Sequence, residues 1–106
     1  MKRVDTSCAL AHILVCVNSR EDSPLPCCAN AGAEDIYEIF HDWIKSHHLL
    51  AQLWLTRTEC LGWCHREGTT IAFYPQDIWY RAVTPEDCQT LITRHLTPLL
   101  ESQTLL

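Results

Sequence analysis

Ile13-Leu14-Val15-Cys16-Val17 is apolar throughout and mostly β-branched, the composition of a strand buried on both faces. It runs into Asn18-Ser19-Arg20-Glu21-Asp22-Ser23-Pro24, a polar run closed by proline that reads as a loop. From Gly32 to about His47 the pattern is helical, with Ile36, Ile39, Phe40, Trp43 and Ile44 on one face. Glu34 and Asp35 fall in the first turn, where they complement the positive end of the helix dipole, and Lys45, His47 and His48 fall at the other end. Leu50 to Arg57 is Leu-rich, alternates weakly and reads as a second strand. Strand, helix and strand within about 45 residues imply a right-handed βαβ unit with parallel strands.

Gly68-Thr69-Thr70-Ile71-Ala72-Phe73-Tyr74 predicts a third strand, Pro75-Gln76-Asp77 a turn, and Ile78-Trp79-Tyr80-Arg81 a fourth strand closing a hairpin. Thr84-Pro85-Glu86-Asp87 is a helix start, with a hydroxyl cap, proline at the first position and acid in the first turn. Cys88, Leu91, Ile92, His95 and Leu96 form its inward stripe, and the tail after Pro98 is expected to fray. The order β-α-β-β-β-α, with a mixed four-stranded sheet, is that of a thioredoxin-like α/β fold. That fold's redox dithiol is missing, because no C-x-x-C occurs in the chain. One domain over residues 1–106, with its core at about 12–97, is expected from the length.

The seven cysteines carry the chemistry. Parallel strands end on the same side of a sheet, so Cys16 and Cys60, 44 positions apart, emerge together where α/β sheets place ligands. Cys64 follows Cys60 in Thr58-Glu59-Cys60-Leu61-Gly62-Trp63-Cys64, and Cys27 and Cys28 lie across the first loop. Counted through Cys28 the spacing is C-x11-C-x31-C-x3-C. Four thiolates drawn from three places in a small chain are a standard means of holding an iron–sulfur cluster. Gly62 lets the backbone turn so that amides point at sulfur, and Trp63 can limit water access.

The formal net charge of −5 argues against nucleic acid and against anionic membranes, and is compatible with a basic protein partner. No stretch approaches the roughly 20 apolar residues of a membrane helix. The start of the chain lacks the pattern of a secretory signal. A cytoplasmic protein is therefore expected, in which cysteines serve metal or redox chemistry before disulfides.

Arg57-Thr58-Glu59-Cys60-Leu61-Gly62-Trp63-Cys64, Tyr74-Pro75-Gln76-Asp77-Ile78-Trp79-Tyr80, Val83-Thr84-Pro85-Glu86-Asp87 and Val15-Cys16-Val17-Asn18 resemble the thioredoxin-like [2Fe-2S] ferredoxins, the group that includes the Shethna-type proteins. The resemblance covers residues 12 to about 96. In that family the second ligand is followed by Gly four positions on and Glu six on. Cys28 meets both conditions with Gly32 and Glu34, and Cys27 meets neither. The resemblance thus implies Cys16, Cys28, Cys60 and Cys64 as ligands of a [2Fe-2S] cluster. It also implies a homodimer and one-electron transfer between a reductase and an acceptor enzyme, with no catalysis of the chain's own. The chain also resembles the ferredoxin-like domain of a respiratory NADH dehydrogenase subunit, but there the first two ligands lie closer together.

Two readings compete. One is a protective or regulatory protein whose redox state controls docking on a larger enzyme. The other is a four-cysteine zinc module, which usually shows two tight knuckles where this chain has one tight pair. Cys88 is expected in the core and Cys8 as a plain thiol. Cys64-His65 gives C-x3-C-H, one residue longer than a haem attachment motif. No phosphate loop or nucleophile elbow is present.

Overall fold

The structure, a computed structural model, describes residues 1–17, 32–59 and 69–104. Its order is β1 (Ala11–Cys16), α1 (Ala33–Ser46), β2 (Leu53–Thr58), β3 (Thr69–Tyr74), β4 (Ile78–Val83), a 3-10 turn (Pro85–Asp87), α2 (Cys88–Leu91), a π turn (Ile92–Leu96) and α3 (Thr97–Thr104). The four strands form one mixed sheet in the order β2-β1-β3-β4. β1 and β2 are parallel, while β1–β3 and β3–β4 are antiparallel. This is the expected β-α-β-β-β-α arrangement, with the βαβ unit at its start.

Strand periodicity sorts the side chains. Ala11, Ile13 and Val15 of β1 are buried with Leu53, Ile71 and Phe73, and Ile36, Phe40 and Ile44 of α1 pack onto them. Cys88, Leu91, Ile92 and Leu96 close the same core, so α1 and the C-terminal helical segment share one face of the sheet. Phe40 and Phe73 meet edge to face at 6.3 Å in its middle. The other face carries His12, Leu14, Trp54, Tyr74 and Trp79, and no described helix packs there. Trp79 is 41% exposed and donates its indole N–H to the Tyr74 hydroxyl at 2.9 Å.

β2 begins later than the sequence suggests. Leu49 to Gln52 form a turn in which the Gln52 and Leu53 amides both donate to Leu49 O, leaving Leu50 exposed. In the hairpin, Asp77 takes a left-handed φ of 56°, as a three-residue loop requires. β4 runs two residues beyond Arg81, and its pairing with β3 shifts register near Ala82, whose φ is 58°. Thr84 caps the C-terminal segment as expected: its amide and hydroxyl both donate to Asp87 Oδ2, at 2.9 and 3.0 Å. The helix does not end near Pro98 but continues to Thr104. Proline removes the amide that would bond the Arg94 carbonyl, and the helix absorbs this by widening into the π turn just upstream. Among the described residues no helix is long and apolar enough to cross a membrane.

His95 joins the C-terminal segment to the hairpin, sharing a hydrogen bond of 2.7 Å with the Tyr80 hydroxyl and lying 5.1 Å from the Phe73 ring. Burial, and then the neighbouring Arg94 charge, hold its pKa below the usual 6.5. An unfolded chain therefore takes up this proton before the folded one does. Stability from the neutral ring is complete above about pH 6.5 and is lost as pH falls through the lower folded value. His95→Gln, which keeps a partner for Tyr80, should flatten the acid-side fall in thermal midpoint; an unchanged pH slope would remove His95 from that role.

Candidate metal centre

Cys16 is the last residue of β1, fully buried, and packs with Ala33, the first residue of α1, and Val17. It pairs with Thr58 across the parallel ladder, and the Val17 amide donates to the Thr58 carbonyl at 2.9 Å. Cys28, Cys60 and Cys64 lie outside the described residues, as do Cys27, Gly62, Trp63 and His65. The described ends that flank them can be placed. Val17 and Gly32 bound the stretch that holds Cys28, and Glu59 and Thr69 bound the stretch that holds Cys60 and Cys64.

All four ends lie at one edge of the sheet. β1 and β2 run in parallel and finish together at Cys16 and Thr58. β3 runs against β1, so it starts at Thr69 on that same edge. Gly32 precedes Ala33, which touches Cys16. β4 also finishes there, because Val83 pairs with Thr69, and Pro85 lies beside Gly32.

Local chemistry suits a thiolate. The positive end of the 14-residue α1 lies against Cys16, and among the described residues no side chain caps its first-turn amides. A helix N-terminus favours negative charge placed beside it. Gly32 is needed to start α1 here, since its φ of 87° is left-handed, and its carbonyl accepts the Ile36 amide at 3.1 Å. Glu34 and Asp35 lie in the first turn of α1, Glu59 follows the end of β2, and Glu86 and Asp87 lie in the turn that follows β4. Arg57 donates from Nε to Glu34 Oε2 at 3.1 Å and from Nη2 to Glu38 Oε1 at 3.5 Å. The sequence signal for Glu34 was its place at the helix start; its partner Arg57, 23 positions away, was not visible there.

Other thiols and imidazoles have structural settings. Cys88 is fully buried among the core residues, and burial first, then Asp87 and Glu86, push its thiol up to about 11. Cys8 is exposed. His12 shares a hydrogen bond with Thr56 at 2.7 Å, and His47 stacks on Trp43 at 4.2 Å while closing α1. Glu38, His41 and Asp42 sit together on the exposed side of α1.

No protein-family model matches the chain. A 2Fe-2S ferredoxin of Aquifex aeolicus (strain VF5) is 31% identical over 87 residues, covering 80% of this chain and 78% of the relative. The chain belongs to the thioredoxin-like [2Fe-2S] ferredoxin family. A 2Fe-2S ferredoxin of Clostridium pasteurianum is 28% identical over 86 residues, covering 80% of this chain and 83% of that protein. The crystal structure of the wild-type thioredoxin-like [2Fe-2S] ferredoxin from Aquifex aeolicus superposes with a TM-score of 0.75 at 30% identity, over 84% of this chain and 87% of that one.

Gly32→Ala should cost about 1–2 kcal/mol in urea unfolding, because an L side chain resists left-handed φ. Steric conflict adds little, since a Cβ at this position meets Pro85 at an ordinary 3.5 Å. Gly32→Asn should cost less than Gly32→Ala. Equal stability of Gly32→Ala and wild type would mean that the left-handed turn is not needed.

Proposed function

We propose that the chain is a one-electron carrier whose [2Fe-2S] cluster is held by Cys16, Cys28, Cys60 and Cys64. The observation that carries this reading is the convergence at the Cys16 edge of every described end flanking the other three cysteines. Such a cluster, when bound, supplies a site that stores and releases one electron. Four thiolates and two sulfides leave it anionic, and reduction adds a further negative charge. The first-turn amides of α1 beside Cys16 oppose that charge, and the buried Cys16 side chain keeps water from one side of the site.

A carrier of this kind transforms no substrate, so its partners are a reductase and an acceptor enzyme. The carboxylates of Glu34, Asp35, Glu59, Glu86 and Asp87 suit partners with a basic docking face, which they would attract at long range. A homodimer is supported by the sheet face opposite the helices, where Trp54, Tyr74 and Trp79 present aromatic surface without a described helix over it. Cysteines devoted to metal fit a reducing, cytoplasmic setting.

Purified anaerobically, the protein should be red-brown with two irons and two acid-labile sulfides per chain, and should give a one-electron EPR signal after dithionite. A colourless protein holding one zinc, even from iron-replete cells, would sink the proposal. Cys16→Ser, Cys60→Ser and Cys64→Ser should each abolish normal assembly. Cys88→Ser should keep its iron and lose about 1 kcal/mol of stability, the new hydroxyl being within reach of the Thr84 carbonyl. Cys28→Ser should lose more iron than Cys27→Ser; equal losses would mean that the neighbours substitute for each other.

A further inference from the structure

Arg57 lies in β2 three positions before Cys60, and every partner it has on α1 lies within six positions of Gly32. Its guanidinium bonds Glu34 and Glu38, and its Cζ sits 3.7 Å from the centroid of the Tyr37 ring. Glu34 and Glu38 are one helical turn apart, with Tyr37 between them on the same side of α1. A planar fork that stacks and bonds two carboxylates at once fits this site, whereas an ammonium is a single point charge. The contacts tie the end of β2 to the start of α1. Arg57 is one residue from Thr58, whose carbonyl holds the Val17 amide, and Glu34 is two residues from Gly32, whose carbonyl holds the Ile36 amide.

The tie has little to do with holding the fold together. The side chains of Arg57, Glu34 and Glu38 are 45%, 58% and 57% exposed, and exposed ion pairs add little to global stability. It fixes one distance instead, that between the strand leading into Cys60 and the helix following Cys28. We infer that Arg57 is a positioning residue: through Glu34, Glu38 and Tyr37 it holds the end of β2, which leads to Cys60, against the start of α1, which follows Cys28, and so slows loss of the metal. This rests on the cluster reading given above.

The test uses the purified, iron-loaded protein as wild type, Arg57→Gln, Arg57→Lys and the double variant Glu34→Gln/Glu38→Gln. Amide exchange at Val17 and Ile36 should speed up about threefold or more in Arg57→Gln, with Ile71 and Phe73 unchanged, because the opening is local. Loss of visible cluster absorption to EDTA should speed up by a similar factor, while the thermal midpoint barely moves. The double variant should behave like Arg57→Gln, and Arg57→Lys should recover part of the effect. Unchanged cluster loss in iron-loaded Arg57→Gln overturns the inference, and so does faster loss without faster exchange at Val17 and Ile36. A wild-type protein without iron overturns the cluster reading itself, a result distinct from either.

Discussion

The parallel pairing of β1 with β2 is the constraint on which the site depends. Because Cys16 faces Thr58 in that register, the two strands end level, and the chain leaves both at one edge. The parallel pair requires a crossover, and the crossover helix must return to the start of β2 at the far edge. α1 therefore begins at the near edge, where Ala33 meets Cys16, and runs away from it. An antiparallel β3 then has to start at Thr69 on the near edge as well. A slip of one residue in the β1–β2 register would set Cys16 against a different partner and turn the core positions of one strand outward.

Charge at this edge has to serve two opposed demands. A cluster held by thiolates is anionic and gains from nearby positive potential, which the start of α1 supplies. The acidic residues near these element ends disfavour further negative charge at the same place. Arg57 moderates the conflict by pairing with Glu34 and Glu38, two of the carboxylates on the α1 side. The remaining acids, exposed to water, are strongly screened at short range and still contribute to the long-range field that a partner meets first.

Sequence periodicity revealed most of the fold because the core positions of β1, α1 and the C-terminal segment repeat at the strand and helix periods. The start of β2 was harder to see. Leu49, Leu50 and Leu53 are chemically alike, and only the turn bonds to Leu49 O separate them into buried, exposed and buried. The end of the chain misled for a physical reason: Pro98 ends a regular α-helix, but a π turn upstream lets the helix pass. Tyr74, Trp79 and Tyr80 lie close together in the hairpin sequence. The pleat divides them, since Tyr80 turns toward Phe73 and His95 while Trp79 turns to Tyr74 on the opposite face. Cys16 stands at the end of β1, as the apolar run that precedes it implies. The contacts of Arg57 were hidden because long-range ion pairs leave no periodic trace.

The Gly and Glu that follow Cys28 at four and six positions have separate physical reasons. Gly32 is present because the chain must enter α1 through a left-handed φ, which few side chains tolerate. Glu34 is present because in the first turn of α1 a carboxylate both complements the helix dipole and reaches Arg57. The first requirement sets the direction in which the chain approaches the Cys16 edge, and the second anchors that approach to β2. Both are counted from the helix rather than from the cysteine. Cys28 stands at the expected count and Cys27 is one position out of it.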